Sequence, residues 1–177
     1  MAPQGKQNFQ DMATKTRAAV LILLYPVKNE PWTIFIKRPE YKGAHSGQVG
    51  LPGGKIESSD ENLEFTALRE TSEELGIQKQ IIIIGSLSSL VISVSNFEVY
   101  PFAGYLKNKP DWKPNSGEVK YVIEAPIAAL LNPVSQKTEK WNMHGTEIDV
   151  PFYHIKNEKI WGATAMIISE FLEIIKV

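Results

Sequence analysis

The chain has no cysteine, which excludes disulfide bonds, thiolate metal ligands and thiol nucleophiles. Histidine is scarce, with three in the chain, and His144 and His154 have no spacing that suggests metal binding. An excess of one charge is also missing, since 19 Lys and Arg against 20 Asp and Glu leave a net charge of −1. That balance removes the broad basic field a nucleic-acid partner would need. Long apolar runs are absent, and the longest, Ala18–Tyr25, is far short of the ~20 residues that span a bilayer. The opening residues Met1–Gln10 contain no apolar leader segment. The expectation is a cytoplasmic protein with no nucleic-acid and no membrane partner.

What the chain does have suits one domain with a substantial core: 177 residues, 43% hydrophobic and 22% charged. Residues 1–16 are polar and read as a flexible lead or a short helix, leaving 17–177 as a single domain. Ala18–Tyr25 and Trp32–Lys37 read as strands separated by a turn at Asn29, Glu30 and Pro31. Ser58, Ser59 or Asp60 could cap a following helix, with Ser58 and Glu61 matching a capping box, and Gly76 would end it. Ile81–Leu90 and Phe97–Leu106 look like further strands, with a polar connector over Pro110–Glu118. Tyr121–Ile123 reads as strand, Pro126–Leu131 as a short helix and Val134–Thr146 as turn-rich chain. Asp149–Ile155 and Ile160–Trp161 suggest a hairpin, and Thr164–Lys176 an amphipathic closing helix. The fold class is α/β, with mixed sheet between helices.

Chemistry concentrates between Gly53 and Ile77. On a helix, Glu74 lies about 40° round from Glu70 and Glu73 about 60° the other way, so three carboxylates share an arc of about 100°. Like charges crowded on one stripe repel unless something positive sits there. All-oxygen donors of this kind suit a hard cation such as Mg2+. Arg69, one turn before Glu73, can hold the cluster in shape. The plain alternative is a solvated glutamate-rich face.

The whole string resembles the Nudix box: glycine, five residues, glutamate, seven residues, then Arg-Glu-aliphatic-x-Glu-Glu-x-Gly-aliphatic. From Arg69 to Ile77 only Thr71 departs, standing at an aliphatic position. Upstream, Gly54 is followed after five residues by Asp60 rather than Glu, and eight residues rather than seven then lead to Arg69. This longer spacing, with Gly-Gly-Lys before it, looks like the coenzyme A pyrophosphatase branch of the Nudix hydrolases. Arg38, Gly47, Pro52, Gly53 and Gly54 fall in register with that branch's upstream signature. Ile34, Phe35, Ile36, Pro39 and Leu51 depart from it, and Gly43 stands where the branch has a second arginine. A guanidinium there could grip a phosphate bidentately, so its loss leaves that task to Arg38, Lys42, Lys55 or a residue elsewhere.

The resemblance implies a Nudix-type α/β/α sandwich and Mg2+-dependent hydrolysis, with Mn2+ as an alternative ion. It assigns the metals to Glu70, Glu73 and Glu74, one of which can also polarise the attacking water, with Arg69 beside them. Candidate substrate contacts are Arg38, His45, Gly53, Gly54 and Lys55. For His45 a structural role within the loop stands beside substrate binding, and for Lys55 a solvated amine stands beside a phosphate contact. Glu57 and Asp60 read as charges at the helix start or as outer support for the metal. Glu118 and Glu124 are candidates for a base outside the box, although such residues more often lie on the surface. His144 and His154 are left out of the site. Val150–Tyr153 and Ile160–Ala165 also resemble the branch, with Tyr153 or Trp161 either stacking on an adenine or packing in the core.

The expected substrate is coenzyme A or an acyl derivative, cut to 3',5'-ADP and a 4'-phosphopantetheine product. Two alternatives stand: the same chemistry on ADP-ribose, NADH or a nucleotide sugar, and a non-catalytic module that senses a nucleotide. Erosion of the glutamates would mark the second, and all three are present. A homodimer is left open.

Overall fold

The computed structural model describes residues 15–42, 45–93, 95–143 and 145–176. Most of the polar lead, the substituted position Gly43 and His144 lie outside the described residues. Thr16, assigned to that lead, is already strand.

The first strand, β1 (Thr16–Val27), is apolar on both sides because it is buried on both sides. Ala19, Leu21, Leu23 and Tyr25 pack into a core shared with Ala67 and Leu75 of the first helix, α1 (Leu63–Leu75). Ala18 and Ile22 face a second core built by α2 (Ile127–Leu131) and α3 (Gly162–Ile175). Helices therefore cover both faces of the sheet, giving the α/β/α sandwich that the resemblance implied. Among the described residues, no helix is long and apolar enough to cross a membrane.

A two-residue turn at Lys28 and Asn29, with φ of 50° and 65°, leads back into β2 (Glu30–Lys37). β1 and β2 pair only over Leu24–Val27 and Glu30–Thr33, then splay apart. Into that fork fit β3 (Val49–Gly50), paired with Ile36 and Lys37 of β2, and β4 (Gly53–Lys55), paired with Ala18–Val20 of β1. The Leu21 amide donates to the Pro52 carbonyl between them, at 2.9 Å. The glycine-rich segment is thus part of the sheet rather than a surface loop. β7 (Phe97–Tyr105) runs parallel to β1 on its other side. β5 (Ile82–Ser86) and β6 (Leu90–Ile92) pair with β7, and β8 (Tyr121–Pro126) pairs with β2. A second sheet of three strands, β9 (Gln136–Met143), β10 (Thr146–Ile155) and β11 (Glu158–Trp161), packs beside the first.

Four expectations change. Glu30 and Pro31, expected in a turn, open β2, and the turn is Lys28 and Asn29. The box helix begins at Leu63, with Asn62 as its cap: the Asn62 Oδ1 accepts from the Phe65 amide at 2.8 Å. Ser58 and Ser59 lie in a turn before it, and Asp60 is drawn away by Arg69. The strand expected over Ile81–Leu90 is split into β5 and β6, with a register shift between Ile83 and Gly85. Residues 136–143, read as turn-rich, form β9. Gln-Lys-Thr-Glu-Lys-Trp-Asn-Met carries little apolar pattern, and its strand conformation comes from continuous pairing with β10.

Candidate metal and diphosphate site

The fork between β1 and β2 sets the site's floor, and α1 lies across it. Gly54 lets the Glu70 carboxylate lie close against the strand: a Cβ there would lie 2.4 Å from the Glu70 Cδ and would push that carboxylate aside. Gly53 has φ of 144°, and a Cβ on it would lie 2.2 Å from the Ala19 carbonyl oxygen. Its amide donates to the Glu74 Oε2 at 2.8 Å. The helix stripe and the glycine strand β4 are therefore held against each other.

The three glutamates differ in environment. Glu74 is 2% exposed, with the Arg38 Nη1 3.8 Å from its Oε1. Burial is the largest influence on its carboxyl and pushes it up to about 7, against the opposing pull of Arg38 and the Gly53 amide. Glu70 is raised for the same first reason, with Arg69 opposing and Glu73 and Glu118 adding to the rise. Glu73 points outward, its side chain 54% exposed.

Arg69 ties these together. Its Nη1 reaches the Glu70 Oε1 at 3.0 Å and the Glu73 Oε2 at 3.1 Å. Nε and Nη2 grip both oxygens of Asp60 at 2.8 Å and 3.0 Å, and Nη2 also donates to the Lys55 carbonyl at 3.2 Å. This bidentate pair holds the Asp60 carboxyl well below the usual carboxylate range and the guanidinium above its own. Asp60 also accepts from the Thr66 hydroxyl at 2.9 Å. It is the residue whose role the sequence understated: it stands where the Nudix pattern has glutamate, and that correspondence was the available signal.

The sequence offers Glu118 as a base outside the box or a surface residue, and the fold brings its charge close to the stripe. The connector carrying it is sewn to the end of α1, where the Lys113 amide donates to the Leu75 carbonyl at 3.0 Å and the Asn115 amide to the Glu74 carbonyl at 2.9 Å. Its negative charge raises both Glu70 and Glu74. Glu124 is not brought there, being held by the Tyr25 hydroxyl at 2.7 Å and Lys109 at 2.6 Å.

The remaining candidates are placed as follows. Arg38 is committed on one side to Glu74 and to the Gly53 carbonyl at 3.4 Å, with 30% of its side chain exposed. His45 sits in its loop with φ of 68° and Nδ1 3.1 Å from the Gln48 Oε1. The Lys55 ammonium lies 5.3 Å over the Phe97 ring. Tyr153 is core, and Trp161 meets Trp141 edge-on at 4.9 Å.

Among the described residues, no three His, Cys, Asp or Glu side chains are already gathered closely enough to grip an ion. The donor chemistry nevertheless fits a hard divalent cation: oxygen ligands only, two with carboxyls raised by burial and mutual repulsion, and Arg69 bridging Glu70 to Glu73.

A NUDIX domain model matches residues 15–147. Nudix hydrolase 15, mitochondrial, of Arabidopsis thaliana is 31% identical over 175 residues, covering 95% of this chain and 61% of that protein. The chain thus spans about three fifths of the length of that plant relative. The uncharacterized Nudix hydrolase NudL of Yersinia pestis is 34% identical over 157 residues, covering 88% of this chain and 78% of its own. Among solved structures, a MutT/nudix family protein from Enterococcus faecalis superposes with a TM-score of 0.59 at 16% identity, covering 96% of this chain and 66% of that one. At that identity the likeness is one of fold.

Proposed function

Because this chain belongs to the Nudix hydrolase family, we propose that it is a Mg2+-dependent pyrophosphohydrolase that cleaves the diphosphate of coenzyme A or an acyl-CoA. The observation that carries the reading is the stripe of Glu70, Glu73 and Glu74, with Glu74 held by the Gly53 amide of β4 and Glu70 lying close against Gly54. Those three carboxylates would hold Mg2+, or Mn2+, which when bound neutralises charge on the diphosphate and activates water.

The rest falls to the chain's own groups. Arg38, anchored on Glu74 and the Gly53 carbonyl, keeps exposed guanidinium surface for a phosphate oxygen. Arg69 and Asp60 keep Glu70 and Glu73 in position. Glu118 or a glutamate of the stripe takes the proton from the attacking water as the new P–O bond forms. The bridging P–O bond breaks, and the leaving phosphate departs with its oxygen. The products are 3',5'-ADP and a 4'-phosphopantetheine.

The coenzyme A assignment is supported by the register of Arg38, Gly47, Pro52, Gly53 and Gly54 with that branch. Gly43 favours a second reading, another nucleoside diphosphate derivative, because the second phosphate-gripping arginine is missing. The test is mass analysis of products after incubation with Mg2+ and, in parallel, coenzyme A, ADP-ribose, NADH and a nucleotide sugar. Preferential release of 3',5'-ADP from coenzyme A supports the first reading. Faster cleavage of another substrate replaces it with the second, and no cleavage at all points to a nucleotide-sensing module. Glu73→Gln should lower turnover about 100-fold or more while circular dichroism stays unchanged. Retained activity in that variant would remove the metal assignment.

A further inference from the structure

A cleft of about 350 Å³ opens between the α2 corner and the β10–β11 turn. It is separate from the diphosphate site. Trp32, the third residue of β2, pairs with Pro126 on the cleft's wall, whereas Arg38 follows the other end of that strand, six residues and about 20 Å away. Pro126, Ala129, Val134 and Ile155 give the cleft an apolar floor and rim, and Val134 is 78% exposed. Val134 thus extends the apolar lining out to the mouth of the cleft.

The charged lining groups are Lys137, His154, Lys156 and Glu124. Glu124 is neutralised by Lys109 at 2.6 Å and capped by the Tyr25 hydroxyl at 2.7 Å. His154 meets Phe152 edge-on, with Glu139 close enough to feel its charge. Lys156 lies 5.9 Å over the Trp32 ring, and among the described residues neither it nor Lys137 has a carboxylate partner. The polar groups of Asn132 and Ser135 are used locally: the Ser135 hydroxyl donates to the Asn132 carbonyl at 2.8 Å, and the Asn132 Oδ1 accepts from the Val134 amide at 3.0 Å. What the cleft offers is an apolar surface beside two unpaired ammonium groups.

We propose that this cleft binds a small organic anion with an apolar body, of the medium-chain carboxylate class. Its hydrocarbon lies on Ala129, Val134 and Ile155, and its head is held by Lys137 and Lys156. The volume suits a ligand of that size, and burial of the hydrocarbon supplies affinity while the two cations select for charge. The assignment is independent of the proposed hydrolytic activity.

The test is an NMR titration of the full chain with sodium octanoate and, in parallel, with the uncharged octanamide. Saturable octanoate binding is expected, with shifts at Ala129, Val134 and Ile155 and weaker binding of the amide. Lys137→Gln combined with Lys156→Gln should weaken octanoate about tenfold, as the loss of two partly solvated charge contacts implies. Val134→Asp, a change at an exposed position, should weaken it through repulsion without touching the core. Equal binding of octanamide, shifts located elsewhere, no saturation, or affinity unchanged in both variants would each overturn the proposal. Failure here would leave metal-dependent hydrolysis untouched, so the two readings fail separately.

Discussion

Arg69 carries more of the site than any other side chain, because one guanidinium answers Asp60, Glu70 and Glu73 together. Two of those carboxylates, Glu70 and Glu73, are proposed cation ligands, and the third, Asp60, holds the arginine from the other side. Asp60→Asn should therefore leave the ligands in place but loosely held, weakening Mn2+ or Mg2+ binding about 10–100-fold. Calorimetric titration checks this, and unchanged affinity would make Asp60 merely a turn residue. Thr71 makes the opposite case. It is fully buried, and its Oγ1 has no hydrogen-bond partner. An orphaned hydroxyl inside a core costs more than a methyl in its place, so Thr71→Val should stabilise the protein by about 1 kcal/mol in urea unfolding. The sequence marked this position as a departure from an aliphatic pattern, but only the packing shows the hydroxyl to be unsatisfied.

The helix α1 is the element on which the site depends, and its register is set at both ends. Gly76 closes it with φ of 64°, legible from the sequence because left-handed backbone selects glycine. The start was not legible: Ser58, Ser59, Asp60 and Asn62 can all cap, and the choice fell to Asn62 once Asp60 was bound to Arg69. Asn62→Ala should cost about 1 kcal/mol of stability, whereas Ser58→Ala should cost nothing measurable. The reverse order in thermal melts would return the cap to Ser58. β9 shows the same limit in a strand. Its polar sequence lacks the alternation that marks a strand, and β10 imposes the conformation through a shared ladder.

At the scale of the whole molecule, the site stores free energy that a cation would release. Glu74 has its carboxyl raised from 4.5 to about 7, so between those values the folded protein holds a proton that the unfolded chain has lost. Stability from that group is present below about pH 4.5 and is lost as pH rises through about 7, amounting to up to about 3 kcal/mol. The metal-free protein should accordingly unfold more easily at pH 8 than at pH 5. Glu74→Gln should flatten that slope, and Mg2+ should raise the melting temperature more at pH 8 than at pH 5. A slope unchanged in Glu74→Gln would assign it to other groups. The sequence by itself determined the alternation of strands and helices, the glutamate stripe and the glycine that ends α1, because periodicity and backbone permissiveness are local properties, while the sandwich was implied by the family resemblance. Only the tertiary structure decided that β3 and β4 fill a fork between β1 and β2, that Glu118 comes to the stripe while Glu124 does not, and that Asp60 anchors Arg69. Those contacts join residues far apart in the chain, and no local pattern specifies which distant partner a side chain will meet.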